Sequence, residues 1–231
     1  MSICIIPARG GSKRIPRKNI KLFCGQPIIA YSIKSAIESN IFDRIIVSTD
    51  DDEIAQTSIN YGAEVPFLRP KELSDDYSTT TDVIEHAYAW LIDNQVSVKF
   101  LCALYATAPF TSSNDIINGF NQIKNHKDCQ VVFPIVEYNF PIQRAIKLTN
   151  NGSLDMFQPE HLLTRSQDLE KAYHDAGQFY WMRSEFIGSG ASPFSKIARP
   201  IKIPHYRVQD IDTDDDWIRA ELIYKSLISG I

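Results

Sequence analysis

No apolar stretch in this chain approaches the roughly 20 residues that a membrane-spanning helix requires, so a helical membrane protein is not expected. The four cysteines (Cys4, Cys24, Cys102, Cys129) are scattered, and none stands at a metal-ligand spacing. That pattern argues against a zinc site or a disulfide scaffold and predicts reduced thiols in a cytoplasmic protein. A basic excess is missing as well: 24 Lys and Arg face 28 Asp and Glu, a formal net charge of -4, which speaks against general nucleic-acid binding. The chain opens directly on an apolar strand pattern, without the charged and then apolar regions of a secretory signal. Repeats, low-complexity segments and long flexible linkers are lacking too. With 231 residues and 44% hydrophobic content, one domain with an embellishment is expected. The two common phosphate motifs are also missing, since neither the P-loop spacing nor three spaced glycines occurs.

What is present is a cationic glycine loop. Ser2-Ile3-Cys4-Ile5-Ile6-Pro7 runs into Ala8-Arg9-Gly10-Gly11-Ser12-Lys13. From Arg9 to Lys21 there are six Lys or Arg residues and no acid. A solvated surface turn fits poorly, because exposed charge runs usually alternate in sign. A polyphosphate fits better. Gly10 and Gly11 have no Cβ, so their backbone can approach phosphate oxygens and adopt positive φ, and successive N–H groups can form an anion nest. Arg9 offers a planar fork and Lys13 a mobile point charge.

Strand patterns at 3–6, 44–48, 100–104 and 131–136 alternate with helical ones at 28–39, 52–61, 81–93 and 115–125. In the first helix Ile29, Ser32, Ile33, Ala36 and Ile37 share a face. This alternation predicts an α/β fold with a mostly parallel sheet covered on both sides. Ligands in such folds sit at the C-terminal strand ends. The glycine loop, Ser48-Thr49-Asp50 and Thr107-Ala108-Pro109 each follow a strand and are expected to converge there. The regularity breaks after Glu137. Residues 145–149 and 154–157 read as a hairpin around Asn150-Asn151-Gly152, a polar stretch at 159–171 follows, and 178–182 returns to the core. Residues 137–171 are thus an excursion. Its apolar side chains (Phe140, Ile142, Ile146, Leu148, Met156, Phe157) are too many for a solvated loop and suit a dimer contact better than a packed intramolecular hairpin.

A second constellation lies near the C-terminus in Gln209-Asp210-Ile211-Asp212-Thr213-Asp214-Asp215-Asp216-Trp217. In an extended segment Asp210 and Asp212 share a face while Ile211 turns inward. Such a pair suits Mg²⁺, which commonly takes one or two carboxylates plus substrate phosphates. Thr213 reads as an N-cap, and Asp214, Asp215 and Asp216 as first-turn acids of a helix over 214–227.

Taken together these motifs resemble the cytidylyltransferases that activate acidic nine- and eight-carbon sugars as CMP conjugates. The likeness covers nearly the whole chain: Ile6-Pro7-Ala8-Arg9-Gly10-Gly11-Ser12-Lys13 with Lys18-Asn19, Ser48-Thr49-Asp50, Leu68-Arg69-Pro70-Lys71-Glu72-Leu73, Thr107-Ala108-Pro109 and Asp210-Ile211-Asp212, in order. Sialic acid synthetases usually carry Gln-Pro-Thr-Ser-Pro where this chain has Tyr105-Ala106-Thr107-Ala108-Pro109. That departure, with Tyr173-His174-Asp175-Ala176-Gly177-Gln178-Phe179-Tyr180-Trp181, resembles the branch that acts on pseudaminic acid, a nonulosonic acid with two acylamino groups used on flagellin and other surface glycans.

The resemblance implies a single three-layer, Rossmann-like nucleotidyltransferase domain of the GT-A kind over 1–231, with 137–171 as the dimerisation flap of a homodimer. It implies CTP as co-substrate, Mg²⁺ as cofactor and pyrophosphate as product. Arg9 and Lys13 then hold the β- and γ-phosphates, and Asp210 and Asp212 hold the metal. The nucleotide site comprises Ala8, Arg9, Gly10, Gly11, Ser12, Lys13, Lys18, Asn19, Arg69, Ser78 and Thr80. The sugar site draws on Tyr105, Thr107, Arg165, His174, Gln178 and Tyr180. Arg14, Arg17 and Lys21 are expected to be solvated surroundings, and the general base stays open. The competing readings are a sialic, legionaminic or 2-keto-3-deoxyoctonic acid enzyme of the same family, a sugar 1-phosphate nucleotidyltransferase, whose usual Gly-x-Gly-Thr-Arg-Leu loop is absent, and a catalytically silent nucleotide-binding module.

Overall fold

Strand β1 (Ser2–Pro7) is buried on both faces. Cys4 and Ile6 enter one core and Ile3 and Ile5 another, as the two-residue period of a strand between helical layers demands. In the computed structural model, which describes residues 1–229, a short hairpin follows, β2 (Leu22–Phe23) and β3 (Gln26–Pro27). It turns on Cys24 and Gly25, both in the left-handed region. Then come α1 (Ile28–Ser39), β4 (Arg44–Ser48), α2 (Asp52–Asn60), α3 (Thr80–Asp93), β5 (Phe100–Leu104), α4 (Ser113–Asn125) and β6 (Val131–Glu137). The rest is β7 (Ile146–Leu148), β8 (Leu154–Met156), β9 (Tyr173–Asp175), β10 (Phe179–Arg183), β11 (Ala198–Lys202) and α5 (Asp214–Ser229).

The main sheet runs β11-β6-β10-β5-β1-β4, with β9 also on β6. β4, β1 and β5 are parallel, as are β6 and β11, whereas β10 and β9 pair antiparallel. The helices form the outer layers. α1 and α4 pack with Val132, Phe179 and Trp181 on one face, and α3 packs with Ile3, Ile5 and Leu101 on the other. Helix α4 comes so close to β10 that a Cβ on Gly119 would meet Trp181 Cδ1 at 2.8 Å. Ile29, Ser32, Ile33 and Ala36 are buried as their spacing predicts, but Ile37 at the stripe's edge is exposed. A third cluster gathers Ile15, Phe23, Tyr31, Ile211 and Trp217 and fixes α5 to the opening loop.

Helix starts are set by side-chain caps. Thr79 with Asp82 and Ser112 with Asp115 form capping boxes, and Asp51 accepts Ile54 N at the start of α2. Residues 137–171 leave the sheet at the end of β6 and return through β9. The β7–β8 ribbon makes no pairing with the main sheet, and its Ile146, Leu148 and Leu154 are exposed. Among the described residues, no helix is long and apolar enough to cross a membrane. All four cysteines are free, including Cys4 and Cys102, which face each other across β1 and β5.

Candidate active site

The parallel strands β1, β4 and β5 end on one edge, and their following loops meet there. Gly10 N donates to Asp50 Oδ1 at 2.9 Å, joining the first two loops. Gly10 and Gly11 do not lie in the left-handed region, contrary to the expected nest geometry; Arg17 does, at φ 55. What constrains Gly10 is space: a Cβ there would meet Asp51 Oδ2 at 2.9 Å, whereas Gly11 has nothing within 4 Å. Ala8 is buried and spends its N–H on Ser48 O at 2.9 Å, so it shapes the strand end and offers no free amide.

Beside this loop lies a polar cleft of about 600 Å³ lined by Arg9, Ser12, Lys13, Arg14, Lys18, Asn19, Arg69, Ser78 and Thr80. Segment 71–79 forms its far wall. Arg9 donates to Asp75 O at 2.5 Å and pairs with Asp76 at 3.0 Å, and Lys13 also pairs with Asp76. Arg69 is buried, its side chain 3% exposed, with Asp50 at 3.8 Å as counter-ion. Burial first, and the nearby Arg9 charge, push its pKa below the ordinary arginine value. Ser78 donates to Glu72 O and Asp75 Oδ1, and Asn19 Nδ2 holds Arg9 O at 2.9 Å.

Ile211 is buried in the third cluster, which leaves Asp210 and Asp212 facing the loop. Lys18 Nζ donates to Ile211 O at 2.8 Å and Asp212 Oδ1 at 3.3 Å. Arg14, expected to be solvated, pairs with Asp212 Oδ2 at 2.8 Å. Arg17 forks onto Asp51 and reaches Glu53, because the two carboxylates at the start of α2 lie beneath the loop. Lys21 pairs with Asp214 and sits 4.6 Å over the Trp217 ring. Asp210 is reached by solvent, yet its carboxyl is crowded by protein. That crowding first, and the Asp212 charge second, raise its pKa. No cation lies within 4.0 Å of it among the described residues. Two carboxylates on one face, one with its charge unmatched, fit a hard divalent cation shared with phosphate oxygens. Thr213 and Asp216 cap α5 reciprocally at 2.9 and 3.2 Å, leaving Asp214 and Asp215 as first-turn acids.

The arm bearing these aspartates is anchored by Arg207, which sequence patterning passed over, and by Gln178, which was expected in the sugar site. Arg207 forks onto the buried Asp115 and donates to Phe110 O at 3.0 Å. Its own carbonyl accepts Gln178 Nε2 at 2.6 Å. Gln178 is therefore a buried strut beneath the arm, with Oε1 left without a partner.

Thr80 borders a second, mostly apolar cleft of about 370 Å³ containing Ile84, Tyr105, Tyr180, Met182, Phe186 and Ile187. Burial, then the Asp175 charge, raise the Tyr105 pKa, and Asp210 is near enough to add to it. The Asp210–Asp212 pair thus lies between cations of the polar cleft and the tyrosines. Tyr180 donates its hydroxyl to Asp175, a residue whose spacing gave no separate signal. Four expected sugar-site residues line neither cleft, the buried strut Gln178 being the first. His174 points to the opposite side of β9 from Asp175, its ring 4.8 Å from that of Tyr138. Arg165 is forked onto Asp168 in the excursion. Thr107 sits half-buried in the turn after β5.

Comparison with known proteins accords with this geometry. A family model described as cytidylyltransferase matches residues 3–220. The chain is 44% identical to a pseudaminic acid cytidylyltransferase of Campylobacter jejuni, over 97% of this chain and 96% of the relative. It is 30% identical to a CMP-N,N'-diacetyllegionaminic acid synthase of Legionella pneumophila, over 95% of this chain and 94% of the relative. Among solved structures, a CMP:2-keto-3-deoxy-manno-octonic acid synthetase complexed with CTP superposes with a TM-score of 0.73 at 14% identity, covering 97% of this chain and 98% of that one; this likeness shows the fold, a Rossmann-like α/β architecture. A family match across the sheet, the loop and the start of α5, joined to full-length relatives, places the chain in the cytidylyltransferase family.

Proposed function

We propose that this enzyme transfers CMP from CTP to the anomeric hydroxyl of a nonulosonic acid, pseudaminic acid being the preferred sugar, and releases pyrophosphate. The observation that carries this reading is the bridge between constellations: Lys18 and Arg14 of the cationic loop hold Asp212 at 3.3 and 2.8 Å, at the border between a polar cleft and a tyrosine-lined apolar one. Phosphoryl transfer is mostly positioning and charge neutralisation, and each cleft supplies one partner. Arg9 and Lys13 neutralise the β- and γ-phosphates, trading their ion pairs with Asp76 for the nucleotide. Gly11 and Ser12 lay backbone against the triphosphate, with Gly10 held in place by Asp50. Lys18 and Asn19 face the α-phosphate and ribose, and Arg69, Ser78 and Thr80 the ribose and base. Asp210 and Asp212 hold Mg²⁺, which when bound neutralises phosphate charge and lowers the pKa of the attacking hydroxyl. Tyr105 and Tyr180 receive the sugar.

The 44% identity to the Campylobacter jejuni relative and the tyrosine at position 105 favour pseudaminic acid over legionaminic or sialic acid. The exposed Phe140, Ile146, Leu148, Leu154, Phe157 and Leu163 support a homodimer. A lone two-stranded ribbon is marginal in water, and an apolar face of this size marks an interaction surface. A second copy would cover it and bring Arg165 towards the partner's site. The free thiols suit the cytoplasm. The test is pyrophosphate release with CTP and Mg²⁺ against pseudaminic, legionaminic, sialic and 2-keto-3-deoxy-manno-octonic acids. Turnover is expected to be fastest with the first and to vanish with chelator. CTP binding without turnover on any sugar would refute the reading.

A further inference from the structure

Asp175 lies outside the phosphate chemistry, yet it is bound to the wall of the second cleft. It receives the Tyr180 hydroxyl proton. Both partners are fixed. Asp175 Oδ1 accepts Gly177 N at 2.9 Å, its backbone is paired with Ile135 of β6, and the Tyr180 ring stacks on Phe133 at 5.1 Å and 25°. A tyrosine hydroxyl has one proton to give and two lone pairs to offer. A charge-assisted bond to a carboxylate takes that proton. Burial, then the Asp175 hydrogen bond, also raise the Tyr180 pKa, so the phenol stays neutral. What it can still offer a ligand is acceptor capacity alone, beside Ile84, Met182, Phe186 and Ile187. A hydroxyl free to rotate would serve donors and acceptors equally. A committed one rejects a ligand acceptor, because two lone pairs would face each other in a mostly apolar cleft.

Resting on the reading that this cleft receives a nonulosonic acid, we infer that Asp175 is a specificity-determining positioning residue: it makes Tyr180 an obligate acceptor for an N–H donor whose attached group is apolar, the pattern of an acylamino substituent. The apolar side chains around the phenol take the acyl methyl while its oxygen takes the N–H.

The test is steady-state kinetics of the full chain with CTP, using pseudaminic acid and 2-keto-3-deoxy-manno-octonic acid, which has hydroxyls and no acylamino group. Asp175→Asn, which keeps shape but frees the phenol, is expected to raise KM for pseudaminic acid at least tenfold. KM for CTP is expected to stay within twofold and kcat at saturating sugar within about threefold. Preference over the hydroxyl-only sugar falls accordingly. Tyr180→Phe is expected to behave alike, and the double variant to be no worse than either single one, since both act through one hydrogen bond. Tyr180→Phe also keeps the test decisive if Asp175→Asn does not fold. An unchanged KM for pseudaminic acid, a parallel rise in KM for CTP, or fully additive losses would overturn the inference. A wild-type enzyme inert towards every acylamino sugar would instead overturn the broader functional reading and this inference with it.

Discussion

Replacing Gly10 by alanine would place a Cβ 2.9 Å from Asp51 Oδ2 and 3.0 Å from Asp51 Cβ, well inside the roughly 3.5 Å of an ordinary contact. The carboxylate cannot swing aside cheaply. Arg17 grips it with two hydrogen bonds of 2.5 and 2.8 Å, and it caps α2 through Ile54 N at 3.0 Å. Gly10 is not in the left-handed region, so alanine by itself would stabilise by about 0.4–1 kcal/mol through the unfolded chain. Overpacking costs about 1–3 kcal/mol, so the clash sets the sign and a net loss of about 0.5–2 kcal/mol is expected. Gly11 is the control. Nothing lies within 4 Å of its missing Cβ, so Gly11→Ala is expected to be as stable as wild type or slightly more so. Its binding behaviour differs. If the backbone there lies against the triphosphate, a methyl group holds the anion off, and CTP affinity falls at least about tenfold, or 1.4 kcal/mol. Denaturant unfolding and calorimetric CTP titration of both variants decide the matter. A Gly10→Ala protein of undiminished stability would refute the steric argument, and a Gly11→Ala protein binding CTP normally would refute the placement of the phosphates.

Asp212→Asn is expected to cut turnover on the order of a hundredfold or more with little change in melting, and to lower the raised pKa of Asp210 by removing a neighbouring charge, shifting the acid limb of the activity profile to lower pH; unchanged activity would sink the metal assignment. Arg17 lowers the Asp51 pKa from 3.8 to about 2, so this pair stabilises the fold above pH 3.8 and its contribution disappears as pH falls towards 2. Because Arg17 is 39% exposed, the contribution is discounted to about 1 kcal/mol, and the stability gap between wild type and Asp51→Asn is expected to close over that window; a gap constant from pH 6 to 2.5 would contradict it. Tyr105→Gln is expected to change the ratio of kcat/KM between pseudaminic and sialic acids about tenfold while sparing KM for CTP. By light scattering the wild type is expected to be dimeric and the double variant Leu148→Glu/Leu154→Glu monomeric; a monomeric wild type would refute the proposed dimer.

Periodicity alone located β4, β5 and α1 with the residue bounds that the structure has, because each carries a buried pattern without competing signals. It missed β11, whose Arg199, Pro200 and Lys202 hide an edge strand, and β9, a three-residue piece too short for any period. The cationic loop and the Asp210–Asp212 pair were legible because like charges that close together in sequence demand an explanation. The partition of the cations was not. Arg14 and Arg17 look alike along the chain, and their fates differ because one lies over Asp212 and the other over Asp51, acids that approach the loop through tertiary structure. For the same reason Arg207, Gln178 and Asp175 gave no signal as supports: a strut is defined by what it touches across the fold.

Lys18 and Asp212 are 194 positions apart yet in hydrogen-bond contact. At about 5–20 residues per second of synthesis, the ribosome needs about 10–40 s to deliver the second after the first. Throughout that interval the nascent chain can own a glycine loop without the Asp212 carboxylate that pairs with it. On the proposed role of Asp212, chemistry waits until that residue has been made, and a product terminated before it is expected to be silent towards nucleotide turnover. Enzyme activity in a cell extract is thus expected to count chains that extend through Asp212, independently of how much amino-terminal fragment is present.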